Sequence, residues 1–366
     1  LPLPDGLTAA IAAVEAQATA LSNRYDAAQA AAVTLTDDLE AAEQRAMIAE
    51  AKLARARLRP GIDVAGPDNT GTIPGEPRTN WNAPGTVGKV AVAPGTYDTQ
   101  DFYGDCYPAD PAGTYLFRGC RFHGGVGHPS GNRGCFYCWN LTTGWATFED
   151  CTFAPDSPSY YRDGIVGHRY TASRCQSFGG TDGFGVNGNG GAIIEWPYVP
   201  WLTWFKQDPA HTDGTHNDPV AIQGGGPNVV RDGNLACYVK VADTSTGPNT
   251  RPAPNGMFYG GSAIIVNQAK SLDVIHDTTI SGNLLSGGYA QLQLNNNRGT
   301  GYVLAVTLGP NQYDRDVYNN SRAAVDKRWI CLVPNGGAIT ANMAEQRWAD
   351  DGTALTPGLA TGIRTV

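Results

Sequence analysis

Asp213, His216 and Asp218 fall within six residues and lead directly into the apolar run Val220 to Ile222. Side chains alternate along an extended segment, so 216 and 218 share a face, where a carboxylate can orient an imidazole. Asp182 and Glu195 add two further acids upstream. Glycosidic hydrolysis uses two carboxyl groups roughly 5 to 5.5 Å apart for retention or roughly 6.5 to 9.5 Å apart for inversion. Asp182, Glu195, Asp213 and Asp218 are the candidates for such a pair. A lyase would instead use a Ca²⁺ site of several carboxylates with a proton acceptor, and the sequence has no dense acidic array. Trp196, Tyr198, Trp201, Trp204 and Phe205 lie in the same stretch. Flat rings stack on the C–H faces of sugars while acid oxygens take their hydroxyls, so Trp196, Tyr198, Trp201 and Trp204 are candidate glycan contacts. The competing reading has these rings packing an excursion against the body of the fold. His216 and Asp218 have a rival reading too, as turn residues whose side chains satisfy backbone groups.

The composition narrows the partners. The net charge is −8, only 16% of the 366 residues are charged, and no Lys/Arg cluster occurs. Phosphate neutralisation needs a basic face, so no nucleic acid is expected. No run of eighteen apolar residues suggests membrane insertion, and no signal peptide is visible, although Leu1 in place of Met suggests a processed or trimmed start. Of eight cysteines, Cys135 and Cys138 have the spacing of half a zinc site, but a second such pair is missing. Buried free thiols are expected for most of the eight, with a disulfide involving Cys106, Cys135 or Cys138 left open; no metal and no cofactor are expected.

Two kinds of element must position these residues. Apolar residues recur at alternating four- and three-residue intervals from Leu7 to Ala56, with Leu7, Ile11, Val14, Leu21, Tyr25, Leu35, Leu39 and Leu53 as the larger members. That heptad seam predicts a helix of roughly 75 Å, which needs other chains to cover its stripe. Beyond Arg59-Pro60-Gly61 the pattern changes to short apolar runs punctuated by Gly and Pro. Tyr115 to Phe122, Ala146 to Phe153, Thr171 to Phe178, Asn228 to Leu235 and Asp273 to Ile280 each read as strand, polar kink and second strand, and Tyr302 to Leu308 is a weaker copy. The period of about 25 to 30 residues, with insertions or an extra turn in two places, predicts a stacked solenoid. A third short strand lies upstream of several copies, as in Val220 to Ile222. Cys120, Cys151 and Cys175 would form one inert ladder, continued by Gly233 or Thr278. Asn283, Asn295, Asn296 and Asn297 read as a structural polar ladder.

The segment Gly88 to Tyr97 (GKVAVAPGTY) resembles the opening coil of pectin lyase-like right-handed parallel β-helices, and Ile280 to Asn283 resembles their inter-strand turn. Thr215 to Gly224 (THNDPVAIQG) is similar to a segment of the β-helical minor tail proteins and tail spikes of phages that infect actinobacteria. The paired aspartates and Gly-His-Gly of polygalacturonase-type β-helices do not occur in order, and Gly167-His168-Arg169 is a partial echo. The resemblance implies a homotrimer in the virion tail, joined to other tail proteins and binding a host cell-surface polysaccharide during adsorption. The expected organisation is a coiled-coil stalk over 1–59, a linker or cap over 60–87, an all-β parallel β-helix over 88–310 and a C-terminal cap over 311–366. A polysaccharide depolymerase and a purely structural fibre element are the alternatives, with enzymatic activity the less expected.

Overall fold

The computed structural model describes residues 5–60, 63–242, 252–269, 273–299, 301–317, 329–333, 337–355 and 362–363. The expected cap over 311–366 lies partly outside them. The chain divides into two compact units, 1–53 and 54–366.

The first unit is helical. A single helix spans Asp5–Ala56, its last turn belonging to the second unit. Leu7, Ile11, Val14, Leu21, Tyr25, Leu35, Leu39 and Leu53 are all exposed on this one chain, Leu21 and Leu35 at 69% each. An amphipathic seam left in water is the opposite of what burial energetics favour. Among the described residues, no helix is long and apolar enough to cross a membrane.

The second unit is a parallel β-solenoid of three sheets. In each coil a strand of the first sheet turns through a tight kink into a short strand of the second, and a loop then leads to a strand of the third. The first sheet runs from Gly95–Asp98 to Ala338–Met343 and has nine strands among the described residues, each paired in parallel with the next coil. The second sheet starts at Thr79–Asn80 and the third at Lys89–Val92. Strand, kink and second strand were legible in sequence. One coil was not: Ala192–Glu195 pairs with both Tyr170–Ser173 and Asn228–Arg231, which accounts for the extra turn expected in that interval. The register of a later coil also differs from the repeat, because Asn228 pairs with Thr278 and the first-sheet strand is therefore Thr278–Ser281, not the segment opening at Asp273.

The kink itself has a simple cause. Thr99, Gly119, Asp150, Arg174, Trp196, Asp232 and Gly282 occupy equivalent corners, all with positive φ. A single left-handed residue redirects the strand, at a strain that Asp and Gly bear best. The position after the corner forms an inward column: Cys120, Cys151 and Cys175, then Pro197, Gly233, Asn283, Asn311 and Gln346. These three thiols are buried and free. Above Gly233, thiols give way to carboxamides: Asn283 Oδ1 accepts the Gly233 N–H at 2.9 Å, Asn283 Nδ2 donates to Asn311 Oδ1 at 3.0 Å, and Asn311 Nδ2 to Gln346 Oε1 at 3.2 Å. Asn283, not Thr278, thus continues the cysteine column.

Parallel stacking brings like side chains together in the core. Tyr97, Phe117 and Phe148 stack with centroids 5.1 and 5.0 Å apart, and Phe102, Phe122 and Phe153 at 4.9 and 5.0 Å. Toward the carboxyl end the same columns continue in aliphatics such as Ile194, Val230, Leu235 and Leu285. The result is one continuous apolar spine.

Candidate functional site

Between the second-sheet strand Tyr198–Val199 and the third-sheet strand Val220–Ile222 the chain leaves the coil. Leu202–Trp204 runs beside Asn234–Val241, and the segment returns through a turn at Gly214. Gly214 has φ +101° and passes so close to Trp204 that a Cβ there would lie 2.5 Å from the indole. A second excursion follows in the next coil, ending in Phe258–Tyr259, which pairs antiparallel with Asn234–Val241. Its side chains Tyr259, Tyr238 and Ala253 form a small cluster of their own. Asp316, from a later turn, accepts hydrogen bonds from the hydroxyls of both Tyr259 and Tyr238, the latter at 2.6 Å.

The two excursions form the walls of a cleft of about 470 Å³. One wall is Trp204, Asp213, Thr215, His216, Asn217 and Asp218; the other is Tyr259, Gly260 and Gly261. Its floor is the outer face of the third sheet, where Ile265 and Asn267 pair with Gln293 and Asn295 of the next coil, and Tyr289 stands beside it. The floor is prearranged: Ser262 Oγ donates to Gln293 Oε1 at 2.9 Å, and Gln293 Nε2 to Asn295 Oδ1 at 2.9 Å. Aromatic faces, carboxamides and a carboxyl group facing one cavity are the equipment for holding a hydroxyl-rich, non-planar ligand.

The acids are organised differently from the sequence expectation. His216 pairs with Asp213 through Nε2, at 3.4 Å, and not with Asp218; both partners are exposed on the rim. Stacked on the His216 ring at 4.2 Å is His211, which Asp208 holds through Nδ1 at 2.6 Å. Asp218 is 7% exposed and reaches the cleft from beneath. It belongs to a vertical column. Asp163, Asp182, Asp218 and Ser262 each stand two residues before Ile165, Phe184, Val220 and Ile264, which pair in succession. Each backbone N–H donates to the acid below: Asp182 N to Asp163 Oδ1 at 3.2 Å, Asp218 N to Asp182 Oδ1 at 2.8 Å, and Ser262 N to Asp218 Oδ1 at 2.6 Å. Gly261 is required at the top, since a Cβ would sit 2.6 Å from Asp218 Oδ1.

Stacked coils place equivalent groups about 4.8 Å apart, where two like charges repel by roughly 3 to 4 kcal/mol at an effective dielectric of about 20. Burial pushes the Asp218 carboxyl up to about 7, against the opposing Ser262 N–H. Asp163 is likewise pushed up to about 7, first by burial and then by the charge of Asp218. Asp182 moves well upward too, although part of its surface reaches solvent, because burial is joined by the charges of Asp163 and Asp218. Asp105, one coil position away from this column, is instead neutralised by the buried Arg162 guanidinium at 2.8 Å.

The other candidates lie elsewhere. Glu195 holds Arg231 of the next coil, accepting from Nε at 2.9 Å and Nη2 at 2.5 Å. Trp196 is buried at its left-handed corner with Arg231 over its ring at 5.6 Å. Trp201 lies outside the cleft, 5.7 Å from Phe178 and capped by Lys240 at 3.7 Å. Tyr198 is half-buried, and burial raises its hydroxyl pKa. His168 braces two turns, one nitrogen meeting Asn187 O at 2.9 Å and the other Leu141 O at 2.7 Å. Of the four aromatic candidates only Trp204 reaches the cleft. Tyr259, Tyr289, Gln293 and Asn267 escaped sequence reasoning, because they arrive from later coils. Among the described residues, no group of three or more His, Cys, Asp or Glu is placed to hold a metal ion. Compared with known proteins, the chain matches no family model, and no curated sequence or solved structure is significantly similar to it.

Proposed function

We propose that this chain is a subunit of a phage tail spike or fibre, trimeric through its amino-terminal helix, which binds a host cell-surface glycan in the cleft beside Trp204 and Asp218. The observation that carries the reading is that cleft. Ring faces of Trp204, Tyr259 and Tyr289 stand over a floor of ordered carboxamides on a stiff, stacked scaffold. Sugar contacts of this kind are individually weak, and three copies on one axis would multiply them by avidity. The exposed heptad seam supports the oligomer: a 52-residue helix with its apolar stripe in water is stabilised by burying that stripe against copies of itself. Virion localisation and contact with other tail proteins belong to the same reading and rest on sequence resemblance alone.

The test is binding of envelope polysaccharide, fractionated from candidate host cells, to the full chain immobilised on a sensor. Tyr289→Ala and Asp218→Asn are expected to weaken binding, while Trp201→Ala leaves it unchanged. Retention of binding in both cleft variants would rule out this cleft.

One observation favours a second reading, a depolymerase. Asp218 is a buried carboxyl held up near neutrality, and the exposed carboxylate Asp213 lines the same cavity. Two carboxyl groups facing one cavity, one buried and one exposed, are the groups that glycoside hydrolysis uses as acid and base. Release of reducing ends by the native chain, lost in Asp218→Asn, would establish it; binding without release would leave the adhesin.

A further inference from the structure

We propose that the cleft recognises a sugar bearing a free amine, whose ammonium sits between the Asp218 carboxyl and the aromatic rings that line the cavity. The same pattern of charge turns away glycans that carry carboxylate, sulfate or phosphate. This rests on the cleft being the ligand site, and it names the class of sugar that the site selects. Asp213 and Asp218 both line the cavity, and among the described residues no Lys or Arg does. His216, at the rim, is engaged with Asp213 at 3.4 Å. Asp218 is buried and, among the described residues, makes no ion pair; its Oδ1 takes the Ser262 N–H at 2.6 Å. The buried guanidinium of the same sheet, Arg162, is turned to Asp105 at 2.8 Å. A buried carboxylate without a counter-ion is unfavourable, and a cation brought by the ligand offsets that.

The rings point to the same class of ligand. Trp204, Tyr259 and Tyr289 line the cavity together with the two acids. Aromatic faces are electron-rich and attract ammonium groups, so several rings beside a carboxyl group form a receptor for a cation. Tyr259 is adapted further: its hydroxyl donates to Asp316, and a phenol bound to a carboxylate has a more electron-rich ring. Side-chain donors that an anion would use are turned inward. Thr215 Oγ1 donates to Asn217 Oδ1 at 3.1 Å, Asn217 Nδ2 to Thr181 O and Thr203 O at 2.7 and 2.8 Å, and Ser262 Oγ to Gln293 Oε1 at 2.9 Å. An anionic sugar would meet two carboxyl groups and no compensating cation, which is discrimination by repulsion. A sugar whose amine is acetylated keeps the ring and carboxamide contacts and loses only the charged one, so acetylation isolates the contribution of the ammonium.

The experiment uses the full chain, immobilised on a sensor near neutral pH. The probes are hexosamine oligosaccharides of several configurations, each in free-amine and in N-acetylated form, with uronate oligosaccharides of equal length. A free-amine member is expected to bind about tenfold tighter than its N-acetylated partner, and the uronates are expected not to bind. Asp218→Asn keeps the Oδ1 that accepts the Ser262 N–H and removes the charge, so the ratio of the two affinities should fall toward one. Asp213→Asn, on the exposed rim, should lower the ratio by a smaller factor, and it serves as the test if Asp218→Asn fails to fold. N-acetylated forms that bind as tightly as the amines, uronates that bind as well, or a preference that survives unchanged in the folded variants would overturn the proposal. If no probe binds while envelope polysaccharide still does, the amine is overturned and the glycan reading stands. If that polysaccharide fails as well, both fall.

Discussion

At the scale of single residues, the cleft separates aromatic side chains that were indistinguishable in the sequence. Trp201 and Trp204 sit three positions apart in one stretch, yet Lys240 caps the first while the second walls the cavity. Trp204 is almost fully buried, so its truncation would disturb the wall itself; half-buried Tyr289 is the cleaner probe. Tyr289→Ala should lower glycan affinity on the order of tenfold, about 1.4 kcal/mol, with an unchanged melting curve, measured by sensor binding alongside thermal unfolding. The sequence carried enough to single out Trp204, Asp213, His216 and Asp218, because they share one continuous excursion. It did not link Asp218 to Asp163 and Asp182. Those three lie at unequal separations, and only the pairing of Ile165, Phe184 and Val220 brings them into one column. Gln293 and Asn267 were invisible for the same reason, and Asn295 was legible only as one amide of a polar ladder.

Structural elements add the energetics of stacking. A coil must complement its neighbours in shape and hydrogen bonding, but it need not repeat their residues, so this column passes from thiol to proline to glycine to carboxamide. This is why the sequence repeat was readable at Cys120, Cys151 and Cys175 and lost its register at Asp273. The carboxamide part of that column is the more demanding. Asn283 is fully buried, accepts the Gly233 N–H and donates to Val230 O, Ser281 O and Asn311 Oδ1. Asn283→Ala would leave these groups unpaired and should cost about 3 kcal/mol or more, read as a lower urea midpoint. The acid column predicts a pH dependence of opposite sense to that of salt-bridged carboxylates. Its folded-state pKa values lie above the ordinary 3.8, with Asp163 and Asp218 at about 7. The stability they contribute is complete below about 4 and is lost as pH rises through about 7. Melting temperatures of the native chain and Asp182→Asn, compared across that range, should converge at the acid end and diverge in favour of the variant toward neutrality.

For the whole molecule, the two compact units make separate demands. The solenoid has its own apolar spine, whereas the helix exposes its seam, so in the proposed oligomer the helix is the element that joins the copies. Removing residues 1–53 is expected to convert a trimer into a monomer by sedimentation, with far-UV circular dichroism of the remaining chain dominated by strand. Leu21→Glu together with Leu35→Glu should do the same without shortening the chain. A native chain that sediments as a monomer would contradict the oligomer. The corners of the solenoid also differ in what they tolerate. The turn from first to second sheet is always tight, as from Arg118 to Arg121 or Arg231 to Asn234, whereas the path from second to third sheet ranges from Phe102–Asp105 to Val241–Ser262. Inserted sequence therefore accumulates along one edge, and the walls of the cleft are built from two such insertions. Specificity for a new receptor could be acquired by exchanging those loops alone, with the spine beneath inherited unchanged.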